Sequence, residues 1–408
     1  MNKIVNCCRT ASLQVCRYHP FLFRSLKTLP KFPVILPRFR QFTTLAINTS
    51  NEKKLKYVGF WLMGCSALVA TTVSVGGLTR LTESGLSMVD WKFAGRRAPS
   101  TEAEWVIEWE KYQDSPQYKY HVVHQGMTMT QFKFIWYMEW GHRQLGRVIG
   151  LCVIIPSLAL ATRKWVPKPI KARLAGFTSL VVCQGLLGWY MVKSGLKDMP
   201  DNHDVPRVSQ YRLASHLGAA FVLYLSMVKT SLDLVLPAVG SGGQAVGRVR
   251  MWAGGVAGLT FLTAISGAFV AGLDAGLVYN SYPKFADRWV PEDILSFAPT
   301  WRNFFENTTT VQFNHRALAH CTILGITTLF LVARPLILPR RAKLALNALM
   351  AMGWLQVSMG VSTLLLHVPT WLAACHQQGS LILLTLTLWL HHELKPATAL
   401  KAVKKIIK

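Results

Sequence analysis

Two short stretches decide how this chain is read: Glu139-Trp-Gly-His142-Arg143 and Gln312-Phe-Asn-His315-Arg316. Each lies near the start of a long apolar block. Each is answered two blocks later by a second histidine, His216 in Ala-Ser-His-Leu-Gly and His376 in Ala-Cys-His-Gln-Gln. An ionisable side chain inside a bilayer is costly and marks a functional site by default. Four histidines at repeated positions ask for one common cause, and two imidazoles from two helices can clamp a porphyrin iron from both faces.

Outward from these stretches, the 408-residue chain is 51% hydrophobic, and its apolar residues are gathered in blocks. Eight blocks, near 57–79, 134–162, 170–192, 208–230, 251–272, 308–332, 344–367 and 369–391, approach the roughly 20 residues that cross a bilayer as a helix. Strand signals are absent, and lipid leaves no water for unpaired backbone groups. The expected fold is an all-α membrane protein with eight transmembrane helices.

A net charge of +26 suggests nucleic acid at first sight, but its distribution points to membrane topology. Segments 1–56, 163–173, 229–250, 333–343 and 392–408 carry 28 Lys and Arg against Glu52, Asp233 and Glu393 alone, whereas 80–133, 193–212 and 273–303 carry 14 basic and 14 acidic residues. Such asymmetry sets orientation in a bilayer, with both termini on the basic side. Residues 1–50 hold eight Lys or Arg and no acid, the composition of a mitochondrial presequence. The alternative is a basic tail of a bacterial protein. Read as a presequence, it places the chain in the mitochondrial inner membrane with both termini in the matrix. Cys7, Cys8 and Cys16 lie in this leader and the other five cysteines in spans, so neither a disulfide framework nor zinc-site spacing is present.

The Gly-rich stretch within 237–250 reads as a linker between two halves, 51–236 and 251–392, with 393–408 as a basic matrix tail. Polar landmarks align in order across it: Glu83 with Asp274, Gly85-Leu86 with Gly276-Leu277, Glu139-x-x-His142-Arg143 with Gln312-x-x-His315-Arg316, Gln184-x-x-x-Gly188 with Gln356-x-x-x-Gly360, and His216 with His376. Two tandem four-helix bundles follow. Units with an even helix count insert the same way round, so their expected relation is a pseudo-two-fold along the membrane normal. Each histidine then falls seven or eight residues into its expected helix, roughly 11 Å deep at 1.5 Å per residue. All four come out in one layer near the intermembrane-space side.

The repeat pairs His142 with His216 and His315 with His376 as axial ligands of two haems. Arg143 and Arg316 follow their histidines where haem propionates would project; snorkelling to lipid headgroups is the alternative. The halves differ three residues before the first histidine, on the same helix face: Glu139 in one, Gln312 in the other. A carboxyl can exchange protons or stabilise positive charge, whereas glutamine only hydrogen-bonds. The amino-terminal half is therefore the candidate for chemistry, with Glu139 as its catalytic group, and the carboxy-terminal half for a fixed cofactor. A structural salt bridge from Glu139 to Arg143 is the competing explanation. The long 80–133 connector contains an expected amphipathic helix, capped by Thr101-x-x-Glu104 with Trp105, Ile107, Trp109 and Tyr112 as its apolar residues. Such a helix either covers the amino-terminal site or packs on the bundle.

The run Pro99-Ser-Thr-Glu-Ala-Glu-Trp105, then Tyr112-Gln-Asp-Ser-Pro116-Gln-Tyr118, His124-Gln-Gly-Met127 and Glu139-x-x-His142-Arg143-x-x-Gly146-Arg147 resembles the haem A synthase family, in its mitochondrial and alphaproteobacterial branch. The resemblance spans roughly 55–392. It implies oxidation of the C8 methyl of haem O to a formyl group, through alcohol and gem-diol, giving haem A for cytochrome c oxidase biogenesis. It implies haem O as substrate at His142 and His216, a need for Glu139, and a haem b cofactor between His315 and His376. It also implies an electron donor such as a matrix ferredoxin system, and haem O synthase as a candidate partner. Many bacterial members carry an outer-loop cysteine pair that this chain lacks, so a thiol-dependent step proposed for those members cannot operate here. The rival class is a diheme membrane cytochrome passing electrons between quinol and an acceptor. A transporter fits less well, because the histidines recur near one membrane face. Oligomeric state is left open, a homo-oligomer included.

Overall fold

The computed structural model describes residues 49–92, 94–120, 126–196, 208–236 and 243–396. The expected presequence thus lies almost wholly outside the described residues, as do His121, His124, His203 and most of the basic tail. In chain order the helices are α1 (Thr49–Leu81), α2 (Glu102–Gln113), α3 (Pro116–Tyr120), α4 (Met129–Ala161), α5 (Lys168–Gly195), α6 (Gln210–Val235), α7 (Gln244–Gly272), α8 (Asn303–Glu306), α9 (Thr308–Ala333), α10 (Arg340–Leu365) and α11 (Thr370–Glu393). Among the described residues there is no strand, only an isolated bridge between Phe285 and Arg288.

Seven of these helices, α1, α4, α5, α6, α7, α9 and α10, are long and apolar enough to cross a membrane. The 24-residue α11 is not among them, and its stretch His376-Gln377-Gln378 is what interrupts its apolar sequence. Prolines at the N-caps of α5, α10 and α11 (φ −62°, −56° and −57°) start those helices without a backbone N–H to leave unpaired. Inside the spans, hydroxyls bond back to the carbonyl four residues earlier, as in Ser66 to Leu62, Thr260 to Val256 and Thr387 to Leu383. These hydroxyls are thus satisfied within their own helix.

Packing closes two rings with the same order of neighbours, α1–α4–α5–α6 and α7–α9–α10–α11, and α1, α6, α7 and α11 make the contact between them. One apolar core, around Leu62, Val69, Phe177 and Phe221, serves the first ring, and another, around Val256, Ile326, Leu346 and Leu349, the second. Both α1 and α7 end alike, with Glu83 and Asp274 each in the left-handed region at φ 52°. That is an uncommon conformation for a non-glycine residue.

Two boundaries and one helix face differ from the sequence reading. The expected 237–250 linker gives way to helix at Gln244, so Gln244–Arg250 is the first part of α7. The second span begins at Met129 rather than near 134, because Thr128 and Gln131 form a complete capping box. The additional turn of α4 carries Phe132, which packs with Trp136 against Trp105 and Tyr112. In α2, Thr101 caps as expected and Trp105 and Tyr112 are buried, but Ile107 is 51% exposed. Positions 105, 109 and 112 share one helical face; 107 falls on the other.

Candidate functional site

The four histidines stand on four different helices, each half-buried: His142 on α4, His216 on α6, His315 on α9 and His376 on α11. The rings of His315 and His376 lie edge to face, with centroids 6.4 Å apart and planes at 89°. His216 lies within electrostatic reach of His142. His142 sits 13 residues into α4, deeper along its helix than the others, because of the capped additional turn.

A glycine backs each imidazole. A Cβ on Gly76 would come within 2.6 Å of His142 Cε1, on Gly267 within 3.1 Å of His315 Cε1, and on Gly360 within 2.7 Å of His376 Cε1; on Gly188 it would meet His216 Cε1 at 3.5 Å, an ordinary contact. Helices α1 and α7 thus press on the first histidine of each half, α5 and α10 on the second. The two landmark glutamines act next to them: Gln184 Nε2 donates to the His216 carbonyl at 3.0 Å and Gln356 Nε2 to the His376 carbonyl at 2.8 Å. Sequence reading placed these glutamines in the repeat without giving them a task, and it passed over Gly76 and Gly267. A small residue at the same place in both first helices was the available signal.

The ring nitrogens differ among the four. Nδ1 of His142, His216 and His376 is buried without a protein partner. Nδ1 of His315 lies 2.7 Å from Ser266 Oγ, and that hydroxyl also donates to the Thr263 carbonyl at 2.7 Å. A hydroxyl that gives its single proton to this carbonyl can only accept from His315 Nδ1–H, the tautomer that leaves the Nε2 lone pair free. Val75 precedes Gly76 where Ser266 precedes Gly267, so the amino-terminal half lacks this bond. Among the described residues no group of three or more His, Cys, Asp or Glu could hold a bare metal ion. Among the described residues, His320 and His392 stand apart from the pairs: His320 stacks on Tyr282 with Nε2 3.0 Å from its hydroxyl, and His392 Nε2 meets the Leu236 carbonyl at 3.0 Å.

Glu139 and Gln312 are each 2% exposed and each bonded to the arginine four residues on. Glu139 Oε1 accepts from Arg143 at 2.6 Å, while Oε2 accepts from Ser87 Oγ at 2.7 Å and the Met88 N–H at 2.8 Å. Gln312 Oε1 accepts from Arg316 at 3.0 Å, but its amide nitrogen donates to the carbonyls of Ala275 (2.7 Å) and Tyr279 (3.3 Å). The two arginines tie the helices to these outer segments. Arg143 donates to the carbonyls of Met88 and Asp90, both at 3.0 Å. Arg316 donates to Tyr279 at 2.9 Å and lies 4.0 Å over the Phe285 ring; its Nε is buried without a partner. The salt bridge that competed with a chemical role for Glu139 is therefore present.

Above α4, Glu108 of α2 is buried and ion-paired with Arg96 and Lys111, and it accepts from Trp136 Nε1 at 3.3 Å. Burial disfavours its ionised form, yet hydrogen bonds from Arg96 and Lys111 outweigh that and hold its carboxyl below the ordinary glutamate value. This fastens α2 and the 82–98 segment to the end of α4 that carries Glu139.

Comparison with known proteins places this geometry. The profile of the COX15-CtaA family, described as cytochrome oxidase assembly protein, matches residues 59–388. Heme A synthase COX15 of Bos taurus is 52% identical over 342 residues, covering 83% of this chain and 82% of that protein. Heme A synthase of Nitrosospira multiformis is 42% identical over 361 residues, covering 88% of this chain and 99% of that protein. A heme A synthase-mitochondrial ferredoxin fusion protein of Schizosaccharomyces pombe is 39% identical over 381 residues, covering 86% of this chain and 62% of the fusion. The matched region contains all four histidines, and the chain belongs to the COX15-CtaA family.

Proposed function

We propose that this chain is a haem A synthase, an oxidoreductase that converts the C8 methyl of haem O to a formyl group by successive hydroxylations, in the inner membrane of mitochondria. The observation that carries the reading is the doubled histidine site with a carboxylate in one copy only. His142 and His216 take haem O as substrate; His315 and His376 hold haem b. The donor set fits such a group. Two imidazole nitrogens each about 2 Å from a shared metal leave ring centres roughly 6 Å apart, and those of His315 and His376 are 6.4 Å apart. Among the described residues no third His, Cys, Asp or Glu joins either pair, which suits a metal held within a macrocycle. Bound there, haem b would supply one-electron redox chemistry.

The protein's own residues do the positioning. Gly76, Gly188, Gly267 and Gly360 back the imidazoles, and Ser266 holds His315 in the tautomer with Nε2 free. Glu139, ion-paired and bonded at both oxygens, is a fixed negative charge beside the substrate site rather than a mobile proton carrier. Preorganised charge of this kind acts most strongly where water is excluded. Arg316, with Nε unpartnered, is suited to a haem propionate, and Arg143, which like it makes three hydrogen bonds to its outer segment and its own helix, lies at the corresponding place.

The eighth span is α11, giving eight transmembrane helices whose two rings are related by a pseudo-two-fold along the membrane normal. The equal order of neighbours in the rings supports this. Both termini face the matrix, by the charge asymmetry. A matrix ferredoxin is the proposed electron donor, supported by the fission-yeast relative in which a heme A synthase and a mitochondrial ferredoxin form one fusion protein.

The test is expression with a haem O synthase in a host lacking haem A, followed by chromatography of the extracted haems. A haem A peak dependent on the chain establishes the activity. Haem b and unchanged haem O, with a partner reductase supplied, would establish the diheme cytochrome instead.

A further inference from the structure

His376 is followed by Gln377, and this side chain reaches out of its own half. Its Nε2 donates to the Val73 carbonyl on α1 at 2.9 Å. Helix α1 admits it through a close approach: a Cβ on Gly77 would lie 2.6 Å from Gln377 Nε2. The preceding Gly76 is the glycine that backs His142. Two consecutive glycines thus let one turn of α1 receive the imidazole of the amino-terminal site on one side and an amide from the carboxy-terminal half on the other.

The repeat supplies an internal comparison. Leu217 follows His216 where Gln377 follows His376, and Ala268 follows Gly267 where Gly77 follows Gly76. Leu217 packs at the edge of the apolar core that also takes in Phe261 and Ala264 of α7, and Ala268 is buried. The positions that correspond to Gln377 and Gly77 in the repeat are thus apolar and carry no amide. A polar side chain between helices must find a partner or carry its desolvation cost, so Gln377 is a departure from the fold's own apolar solution.

We propose that Gln377 is a positioning residue: it pins the Val73–Gly77 turn of α1 against His142, so that the carboxy-terminal half sets the geometry of the amino-terminal site. This rests on the assignment of the four histidines as haem ligands. The joint makes no new bond and moves no electron. It fixes the distance and ring orientation of a ligand in one half by a hydrogen bond from the residue next to a ligand in the other.

The experiment uses the full chain co-expressed with haem O synthase and purified in detergent. It compares wild type, Gln377→Leu, and the double variant Gln377→Leu with Gly77→Ala. The double variant places at these positions the leucine and alanine that the repeat carries at 217 and 268, and the added methyl takes up part of the space the amide leaves. Low-spin ferric haem signals are read by electron paramagnetic resonance and assigned by their loss in His142→Ala and in His376→Ala. Haem O loss is timed by transfer to apomyoglobin. In both Gln377 variants the His142-dependent signal shifts and haem O leaves about fivefold faster, the change for one lost hydrogen bond. The His376-dependent signal and haem b content stay as in wild type. An unchanged His142-dependent signal and loss rate in the double variant would overturn the inference, as would an equal shift of both signals. A wild type without two histidine-dependent signals would overturn the ligand assignment itself, and this inference with it.

Discussion

Replacing Glu139 by glutamine probes the site most directly, and the structure fixes what the change costs. The carboxylate accepts three hydrogen bonds, two at one oxygen and one from Arg143 at the other. An amide has one acceptor. If its oxygen keeps Ser87 and Met88, its NH2 faces the Arg143 guanidinium; if it keeps Arg143, the NH2 faces the Met88 N–H. Either way a donor meets a donor, and Arg143 loses its counter-charge. Breaking one side of a buried ion pair costs about 3–5 kcal/mol. The bonds that survive place Glu139→Gln at the lower end, about 3 kcal/mol. Unfolding in detergent should register that loss while haem O and haem b remain in the purified protein. Haem A formation should fall by about 10²–10³, the usual effect of removing one preorganised electrostatic group. Wild-type conversion by a variant that retains both haems would refute the assignment of Glu139 as the charge that acts on the substrate. Loss of haem O together with activity would reduce Glu139 to a structural tie.

Other perturbations have equally definite outcomes. Gly76→Ala pushes His142 aside and should lose haem O from extracted protein, whereas Gly188→Ala, with an ordinary 3.5 Å contact to His216, should retain it. Ser266→Val gives His315 the surroundings of His142; haem b should stay bound but with a raised midpoint potential in redox titration, since a less polarised imidazole donates less to iron. Glu108 has a depressed pKa, so its contribution to the α2 cap is present above the ordinary carboxylate range near about 4.3 and lost as pH falls below it. Limited proteolysis of the 82–128 segment should accelerate at acidic pH in wild type, and at all pH values in Glu108→Gln.

The histidines and the order of the helices were legible because ionisable residues in apolar blocks and repeated landmarks are one-dimensional signals. The ends of helices were less so. Hydropathy alone starts the second span near 134, since Met129–Lys133 is mixed in character, but Thr128 and Gln131 cap it earlier and Phe132 finds a partner in α2. Conversely, α11 is a long helix whose His376, Gln377 and Gln378 dilute its hydropathy. What sequence could not supply was the partner of each buried polar group. Ser87, Ser266 and Gln377 are unremarkable as letters, and their roles depend on which carbonyl, carboxylate or ring the packing brings within 3 Å.

The difference between Glu139 and Gln312 shows why one letter misleads in isolation. In sequence it reads as chemistry in one half and inertness in the other. In the structure each residue is matched to the outer segment it meets: 87–88 presents a hydroxyl and an N–H, and 275–279 presents two carbonyls. A carboxylate suits the first and an amide the second. Gln312→Glu would therefore set an anion against two carbonyl oxygens and destabilise the carboxy-terminal half, the proposed cofactor site, without giving it the surroundings of Glu139. The asymmetry belongs to helix, arginine and outer segment together. A transfer of function between the halves would have to exchange 82–90 with 273–284 along with Glu139 and Gln312.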